Sequence, residues 1–221
     1  MTLGNDVWLP SVPAPGIRRW SAPATLNTLE TSFPDPLPRS RHLIFWGLAV
    51  SGCALDLLTK HWVFQWRRMP GESPVWWIWD PYVGIETALN PGALFGMGAG
   101  FGAGFAALSI VAGGGILVWL FWVQAARDLL LTIALGCVLG GIGGNLYDRL
   151  GLWQVPGVPG AFRNEVRDWI LFRYGDFTWP NFNIADSLLV CGAGLLLWHG
   201  LRGEPENHGD GQAKRTEKPT V

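Results

Sequence analysis

Charged residues are scarce in this chain. Only 15% of its 221 residues are Asp, Glu, Lys or Arg, whereas a soluble domain carries about 25%. The charges that are present fall mostly outside four long apolar runs. Helices of soluble proteins alternate polar and apolar faces, and these runs are apolar on every side. The composition therefore argues against a soluble fold and predicts a small protein that crosses a membrane several times.

Other absences exclude further classes of protein. The net charge is −1 and no segment combines basic and aromatic residues at a regular spacing, which argues against nucleic-acid binding. The four histidines are scattered, without HExxH or another ligand spacing, so we expect no metal and no cofactor. The three cysteines lack CxxC spacing and lie within apolar runs. We expect them to be small buried side chains.

The apolar runs predict four transmembrane helices. Each run is near the roughly 20 residues that cross the hydrocarbon layer, although the last is short. Four spans place both chain ends on one side, and nine of the 16 Lys and Arg residues fall on that side, which favours cytoplasmic ends. The runs are residues 43–66, 95–123, 129–147 and 184–199.

Three regions follow from this pattern. Residues 1–40 are rich in proline and predict a disordered cytoplasmic tail, and the polar residues 202–221 predict a second one. Residues 41–201 form the membrane domain. Residues 74–90 are rich in Trp, Val and Ile and predict a strand pair at the membrane surface. Residues 165–174 predict a short strand or helix. The expected fold is thus all-α, with four transmembrane helices and a small β-sheet between the first two.

Polar side chains collect in one layer of the predicted bundle. Asp148 closes the third span and Asp186 opens the fourth. Because one outer loop joins these spans, both carboxyl groups must lie at the same membrane depth, whichever way the protein is oriented. Asn90, Asp56 and Lys60 belong to the same half of the bilayer. Charged groups at this depth are costly, so such a layer is a candidate site.

Two neighbouring carboxyl groups predict aspartic protease chemistry. Both cannot ionise easily, so one holds a proton while the other activates a water molecule. Each residue also has a structural interpretation. Asp56 and Lys60 are four apart on one helix and could neutralise each other, Asp148 could pair with Arg149, and Asp186 could interact with the dipole of its helix. The carboxylates outside the spans are most simply solvated or capping residues; they are Asp80, Glu86, Asp168 and Asp176.

Five sequence elements resemble those of the bacterial lipoprotein signal peptidases. The first span carries DLLTK, similar to that family's DxxTK, and NPGALFG before the second resembles its NxGxxFG. The third span ends in GGIGGNLYDR, similar to GGxxGNxxDR, and the fourth opens on FNIADS, similar to FNxADS. VRDW looks like the family's VxDF with Trp in place of Phe. The elements lie at residues 56–60, 90–96, 140–149, 182–187 and 166–169.

The resemblance implies a definite activity. Such enzymes remove the signal peptide of prolipoproteins, cutting just before a diacylglyceryl-modified cysteine. They work without a cofactor, in the bacterial inner membrane, with the active site near its extracytoplasmic face. Asp148 and Asp186 would be the catalytic pair, and we expect a monomer whose partners are lipid-modified precursors and membrane lipids. The supporting or substrate-binding residues would be Asp56, Lys60, Asn90, Gly92, Asn145, Arg149, Asn183 and Ala185.

Three other functions fit the sequence less well. An intramembrane protease of the GxGD type also uses two aspartates, but no GxGD motif is present. A rhomboid-type serine protease needs a Ser and His pair, whereas Ser187 and His199 lie near opposite membrane surfaces. A proton or ion carrier would space its carboxylates through the bilayer, and here they collect in one half.

Overall fold

The computed structural model describes residues 36–92, 98–153 and 164–202. The predicted tails, residues 1–40 and 202–221, lie outside these ranges except at their inner edges. The predicted start of the second span at residue 95 also lies outside them.

Four helices account for the predicted spans, and each is long and apolar enough to cross a membrane. The first helix begins four residues earlier than predicted, and the third ends two residues later. The second continues beyond its α-helical part into a π-helical turn at Val118–Trp122. The helices are α1 (Arg39–Arg67), α2 (Gly102–Leu117), α3 (Leu129–Arg149) and α4 (Ile184–Leu201).

α3 lies at the centre of the bundle, packed against α1, α2 and α4. Glycine makes this close approach possible. A Cβ atom at Gly140 would lie 3.1 Å from the backbone oxygen of Ala49, and one at Gly141 would lie 2.5 Å from the backbone oxygen of Ala185. Helices that lack a hydrophobic driving force between them associate through such close backbone contacts. The GGIGG run of α3 therefore sets the spacing of α1 and α4.

The two ends of the helical domain lie on one side, as predicted. Asp128 caps the start of α3 by accepting a hydrogen bond from the Leu131 N–H at 2.8 Å. This bond holds the pKa of Asp128 below its usual value. The same carboxylate lies 3.1 Å from Nε2 of His199 in the last turn of α4. The ring of His42 at the start of α1 stacks on Phe121 at the end of the second span, 4.5 Å between centroids.

A four-stranded antiparallel sheet covers the other end of the helices. Its strands are β1 (Trp76–Trp79), β2 (Val83–Asn90), β3 (Val166–Tyr174) and β4 (Phe177–Phe182), in that order across the sheet. The predicted strand pair at 74–90 is confirmed, and the segment at 165–174 is a strand. The sheet is twice as large as predicted, because the hairpin β3–β4 between α3 and α4 pairs with β2.

The outer surfaces of the helices are apolar and exposed, as expected for helices that face lipid. Val111 and Val190 are exposed on α2 and α4. All three cysteines are free. Cys53 and Cys137 are half-buried, but Cys191 is exposed on α4, so the prediction that it is buried was wrong. The cause is that α4 packs only one of its faces against α3.

Candidate active site

A cavity of about 950 Å³ lies where α2, α3 and α4 meet the sheet. Its walls within the helical domain are largely apolar, with Phe105, Leu108 and Leu189 among them. A mainly apolar cavity with a few converging polar groups is typical of a ligand-binding site. The polar side chains that line it from the helices and strands include Asn90, Asn145, Arg149, Asp168, Asn181 and Asp186.

The start of α4 fixes the position of Asp186. Asn183 is the N-cap: its Oδ1 accepts the Asp186 N–H at 2.9 Å, and its own N–H donates to Oδ2 of Asp186 at 3.1 Å. This reciprocal capping satisfies two backbone donors that the helix itself cannot pair. Oδ1 of Asp186 accepts a further hydrogen bond from Nδ2 of Asn145 at 2.8 Å. Both carboxyl oxygens therefore accept hydrogen bonds, which fix the orientation of the side chain.

A second carboxyl group, Asp168 on β3, lines the same cavity. The strand pairing places Asp168 opposite Ala88 of β2, and only 2% of the residue is exposed. Nδ2 of Asn183 donates to its Oδ1 at 2.6 Å, and the Asn90 side chain also hydrogen-bonds to it. Asn183 thus contacts both Asp168 and Asp186.

The surroundings of Asp168 favour its neutral form. Burial raises the pKa of Asp168 to about 8, and the neighbouring Asp186 contributes to the rise. Lys60 and the hydrogen bonds from Asn183 and Asn90 act in the opposite direction but do not cancel it. Burial thus favours a protonated Asp168 at neutral pH, next to the Asp186 side chain that shares its Asn183 contact.

Behind the cavity wall lies a separate cluster of buried charges centred on Asp148. Nζ of Lys60 lies 3.2 Å from Oδ2 of Asp148 and 2.7 Å from Oδ2 of Asp56. Nη2 of Arg167 lies 2.7 Å from Oδ1 of Asp148. Asp148 is fully enclosed and is not among the residues that line the cavity. Two carboxylates here face two cations.

The buried cluster also supports the cavity residues. Nζ of Lys60 donates to Oδ1 of Asn145 at 2.9 Å, and Asn145 in turn donates to Asp186. Oδ1 of Asp56 accepts the N–H of Ala185 in the first turn of α4 at 2.9 Å. Lys60 and Asp56 therefore orient the groups that hold Asp186.

The model of the family "Signal peptidase (SPase) II" matches residues 48–202 of this chain. The chain belongs to the signal peptidase II family. It is thus related to aspartic peptidases, and its own four apolar helices are long enough to cross a membrane. Lipoprotein signal peptidases of three bacteria are among its relatives. That of Rhodopirellula baltica is 54% identical over 78% of each chain, and that of Rhodococcus jostii is 36% identical over 84% of each. That of Symbiobacterium thermophilum is 34% identical over 69% of this chain and 90% of its own.

Solved structures support the fold of this signal peptidase II. Two structures described as bacterial membrane enzymes, studied by the in meso method, superpose with TM-scores of 0.61 and 0.59. Each is 23% identical to this chain; the first covers 84% of it and the second 76%, and 97% of each solved chain is matched. The four helices and the sheet are thus an architecture that these solved structures share.

Most of the residues that the sequence proposed for the peptidase site come together. Asp56 and Lys60 form the predicted ion pair. Asn183 and Lys60 lie behind the cavity wall and hydrogen-bond to Asn145, which lines it. Asp56 and Ala185 also lie behind the wall and are joined to each other by a hydrogen bond. Those that line the cavity itself are Asn90, Gly92, Asn145, Arg149 and Asp186.

Two of the sequence predictions disagree with the structure of the peptidase. Asp168 was expected to be a solvated loop residue, and this is wrong, because it is buried on a strand beside Asp186. The predicted pairing of Asp148 with Asp186 does not fit the geometry either. The last turn of α3 directs Asp148 toward α1 and β3, where Lys60 and Arg167 neutralise it.

A signal for Asp168 was present in the sequence. It stands within VRDWILF at 166–172, whose β-branched and aromatic residues predict a buried strand. A carboxyl group in the middle of such a strand is seldom solvated. Its position beside Asp186, however, follows only from the folded structure, in which Asn183 contacts both residues.

Arg149 gives the cavity a fixed cationic group. Its Nη2 donates to the backbone oxygen of Gly92 at 2.6 Å, and the guanidinium lies over the ring of Phe105, 4.9 Å from its centroid. Its Nη1 is buried and has no hydrogen-bond partner within the part of the chain that the structure describes. The two N–H donors of Nη1 thus have no acceptor among the described residues.

A substitution of Gly144 tests whether Asp56 and Lys60 of α1 hold the site residues in place. A Cβ atom at this position would overlap Oδ2 of Asp56 and lie 2.9 Å from its Cγ. We therefore expect Gly144→Ala to displace Asp56 from Lys60 and from Ala185, lowering the free energy of unfolding by about 1–3 kcal/mol and reducing peptidase activity. Chemical unfolding in detergent, followed by helix content, measures the first effect.

The matched control for this change is Gly47→Ala. Gly47 also lies in a transmembrane helix, but a Cβ atom there would meet nothing within 4 Å. We expect unchanged or slightly raised stability, because alanine favours the helix. Equal stability of the two variants would contradict the close contact between Gly144 and Asp56.

Proposed function

We propose that the chain removes signal peptides from bacterial prolipoproteins, cutting just before the diacylglyceryl-modified cysteine. The observation that carries the proposal is a pair of carboxyl groups, Asp168 and Asp186, at one end of an apolar cavity. When the peptide bond before the cysteine lies at the two carboxyl groups, the lipid chains of that cysteine extend along the apolar walls of α2 and α4. The family to which the chain belongs supports this substrate class.

In this proposal the catalytic pair is Asp168 and Asp186, and it replaces the pair of Asp148 and Asp186 that the sequence predicted. Asp168 lines the cavity, whereas Asp148 is enclosed behind it and neutralised by two cations. A general acid or base must reach the reacting atoms. Asp148 supports the pair from behind but has no path to a substrate in the cavity.

The two carboxyl groups divide the work by their protonation. Asp186, charged, takes a proton from a water molecule, which attacks the carbonyl carbon of the bond before the cysteine. Asp168, protonated, donates a hydrogen bond and then its proton to the carbonyl oxygen. As the tetrahedral intermediate collapses, the proton held by Asp186 passes to the leaving amine and Asp168 regains its own. No other reactant is consumed.

Asn183 and Arg149 would assist from the two sides of the pair. Asn183 holds both carboxyl groups in fixed positions, because it contacts each of them. The free Nη1 of Arg149 would bind a backbone carbonyl of the signal peptide, with Gly92 holding the guanidinium in place. Positioning of this kind lowers the entropy that must be lost in the transition state.

We further propose that the sheet end of the bundle is extracytoplasmic and that both chain ends are cytoplasmic. The slight excess of Lys and Arg at the ends supports this orientation, and a precursor would reach the cavity laterally from the bilayer. A single chain carries both carboxyl groups and the cavity that they line, so we expect a monomer. Membrane lipids would cover its apolar outer surface.

The paired carboxyl groups predict a bell-shaped dependence of kcat/KM on pH. Activity rises at low pH because the pair needs one charged carboxyl group as its base. It falls again as Asp168, whose pKa burial raises to about 8, loses the proton that it must donate. We therefore expect the alkaline limb near pH 8, measured with a precursor peptide over a range from about pH 5 to about pH 10. An activity that stays level through pH 10 would contradict a protonated Asp168.

The substrate class is tested with two precursors that differ only in the lipid. The purified protein is incubated with a diacylglyceryl-modified prolipoprotein and with its unmodified twin, and the products are resolved by mass spectrometry. We expect cleavage of the modified precursor on the amino side of the cysteine and no cleavage of the twin. Equal cleavage of both, or cleavage at another bond, would overturn the proposal.

A further inference from the structure

We propose that Arg167 is a positioning residue of the reaction: it holds β3, and with it Asp168, against the end of α3 and balances the charge around the catalytic pair. This inference rests on the proposed function, since it assigns Asp168 to that pair. Arg167 stands at the variable position of the element that resembles VxDF.

The first argument is the way in which Arg167 is bound. Its Nε and Nη2 both donate to Oδ1 of Asp148, at 3.1 and 2.7 Å. Its backbone N–H donates to the other oxygen, Oδ2, at 3.0 Å. The guanidinium also lies over the rings of Trp153 and Phe64, 5.2 and 6.0 Å from their centroids. Side chain and main chain of one residue therefore join β3 to α3 and α1.

The second argument is the position of Asp168, which directly follows Arg167 in the strand. Consecutive residues of a strand point to opposite sides, so Arg167 reaches the cluster behind the wall while Asp168 reaches the cavity. The backbone oxygen of Arg167 also accepts a hydrogen bond from Nδ2 of Asn183 at 3.4 Å. Any shift of Arg167 is thus passed to Asp168 and to the amide that contacts both catalytic carboxyl groups.

The third argument is the charge balance. The charged groups that face the cluster come from four elements: Asp56 and Lys60 on α1, Asp148 and Arg149 on α3, Arg167 and Asp168 on β3, and Asp186 on α4. With Asp168 protonated, three carboxylates face three cations. Removal of the Arg167 charge would leave one negative charge in excess, buried close to the pair.

An excess negative charge predicts a specific kinetic effect. A neighbouring like charge disfavours the ionised form of a carboxyl group, so both the acid and the alkaline limb of the kcat/KM profile should move to higher pH. We expect Arg167→Met to shift both limbs upward by about one pH unit and to lower kcat about tenfold through the loosened strand. A purely structural loss of folded enzyme would lower the amplitude and leave the limbs in place.

Arg167→Lys separates the two roles. Lysine keeps the positive charge but cannot form the paired contacts of a guanidinium. We expect both limbs of its pH profile to lie at the wild-type pH values and its kcat to be several-fold lower than that of the wild type. The matched control is Arg173→Met, which removes a positive charge from the outer end of the same strand, where Arg173 lies over the ring of Trp77. Its profile should equal that of the wild type.

The outcomes decide between the alternatives. Unshifted limbs in Arg167→Met, or a wild-type kcat in Arg167→Lys, would overturn the role of Arg167. If Arg167→Met does not accumulate as folded enzyme, the kcat and the limbs of Arg167→Lys decide alone. Failure of the proposed function looks different, because the wild-type enzyme would then not cleave the modified precursor at all.

Discussion

Asp168→Asn abolishes cleavage of the diacylglyceryl-modified precursor while the protein remains folded in the membrane. The asparagine keeps the shape of the side chain and can still accept the hydrogen bond from Nδ2 of Asn183, so the strand should hold its position. What is lost is the proton that the carbonyl oxygen of the substrate receives. General acid and base catalysis contributes about 10²- to 10⁴-fold, and we expect kcat to fall by at least the lower figure.

Asp186→Asn should be inactive to a similar degree, because the water molecule loses its base. The measurement is the same for both variants: turnover of the modified precursor, normalised to folded protein by size-exclusion chromatography in detergent. The control is Asp176→Asn, which removes an exposed carboxylate from the turn between β3 and β4 and should retain full activity. Normal turnover by Asp168→Asn would refute its place in the pair.

Asp148→Asn should act mainly on stability. The change removes the partner of two buried cations, Lys60 and Arg167. Breaking one side of a buried ion pair typically costs about 3–5 kcal/mol, because a charge is left uncompensated. We expect a loss of this size in the free energy of unfolding, with measurable activity in the fraction that folds.

Two further variants make the stability prediction specific. Asp128→Asn removes a carboxylate from the exposed contact with His199, and such surface pairs contribute about 0–1 kcal/mol. The double change Asp148→Asn with Arg167→Met removes one of the stranded cations, so its loss should be smaller than the sum of the two single losses. Complete inactivity of well-folded Asp148→Asn, together with wild-type stability, would restore Asp148 as a catalytic candidate.

The helices could be predicted from the sequence because the bilayer sets both their length and their composition. The bounds of α1 and α3 differ by a few residues, since helix ends depend on local caps such as Asp128. The strand pair at 74–90 also followed from its residues. The pairing of β3 with β2 did not, because it joins segments far apart in the chain.

The candidate site was predicted in part. The positions of Asp56, Lys60 and Asp186 along their helices predicted that they lie at one membrane depth, and their contacts in the structure agree with this. Depth alone could not tell which carboxyl group faces the cavity. Asp148 and Asp168 lie at the same end of the helices. Only the direction of the last turn of α3 and the register of β3 determine which of the two faces the cavity.

The proton on Asp168 is the most direct test of the proposed mechanism. The measurement is the infrared carbonyl band of protonated carboxyl groups in the wild-type enzyme at neutral pH, compared with the Asp168→Asn and Asp148→Asn variants. We predict a band that titrates near pH 8, is absent from Asp168→Asn and persists in folded Asp148→Asn. A band that persists in Asp168→Asn and is lost in Asp148→Asn would contradict the assignment.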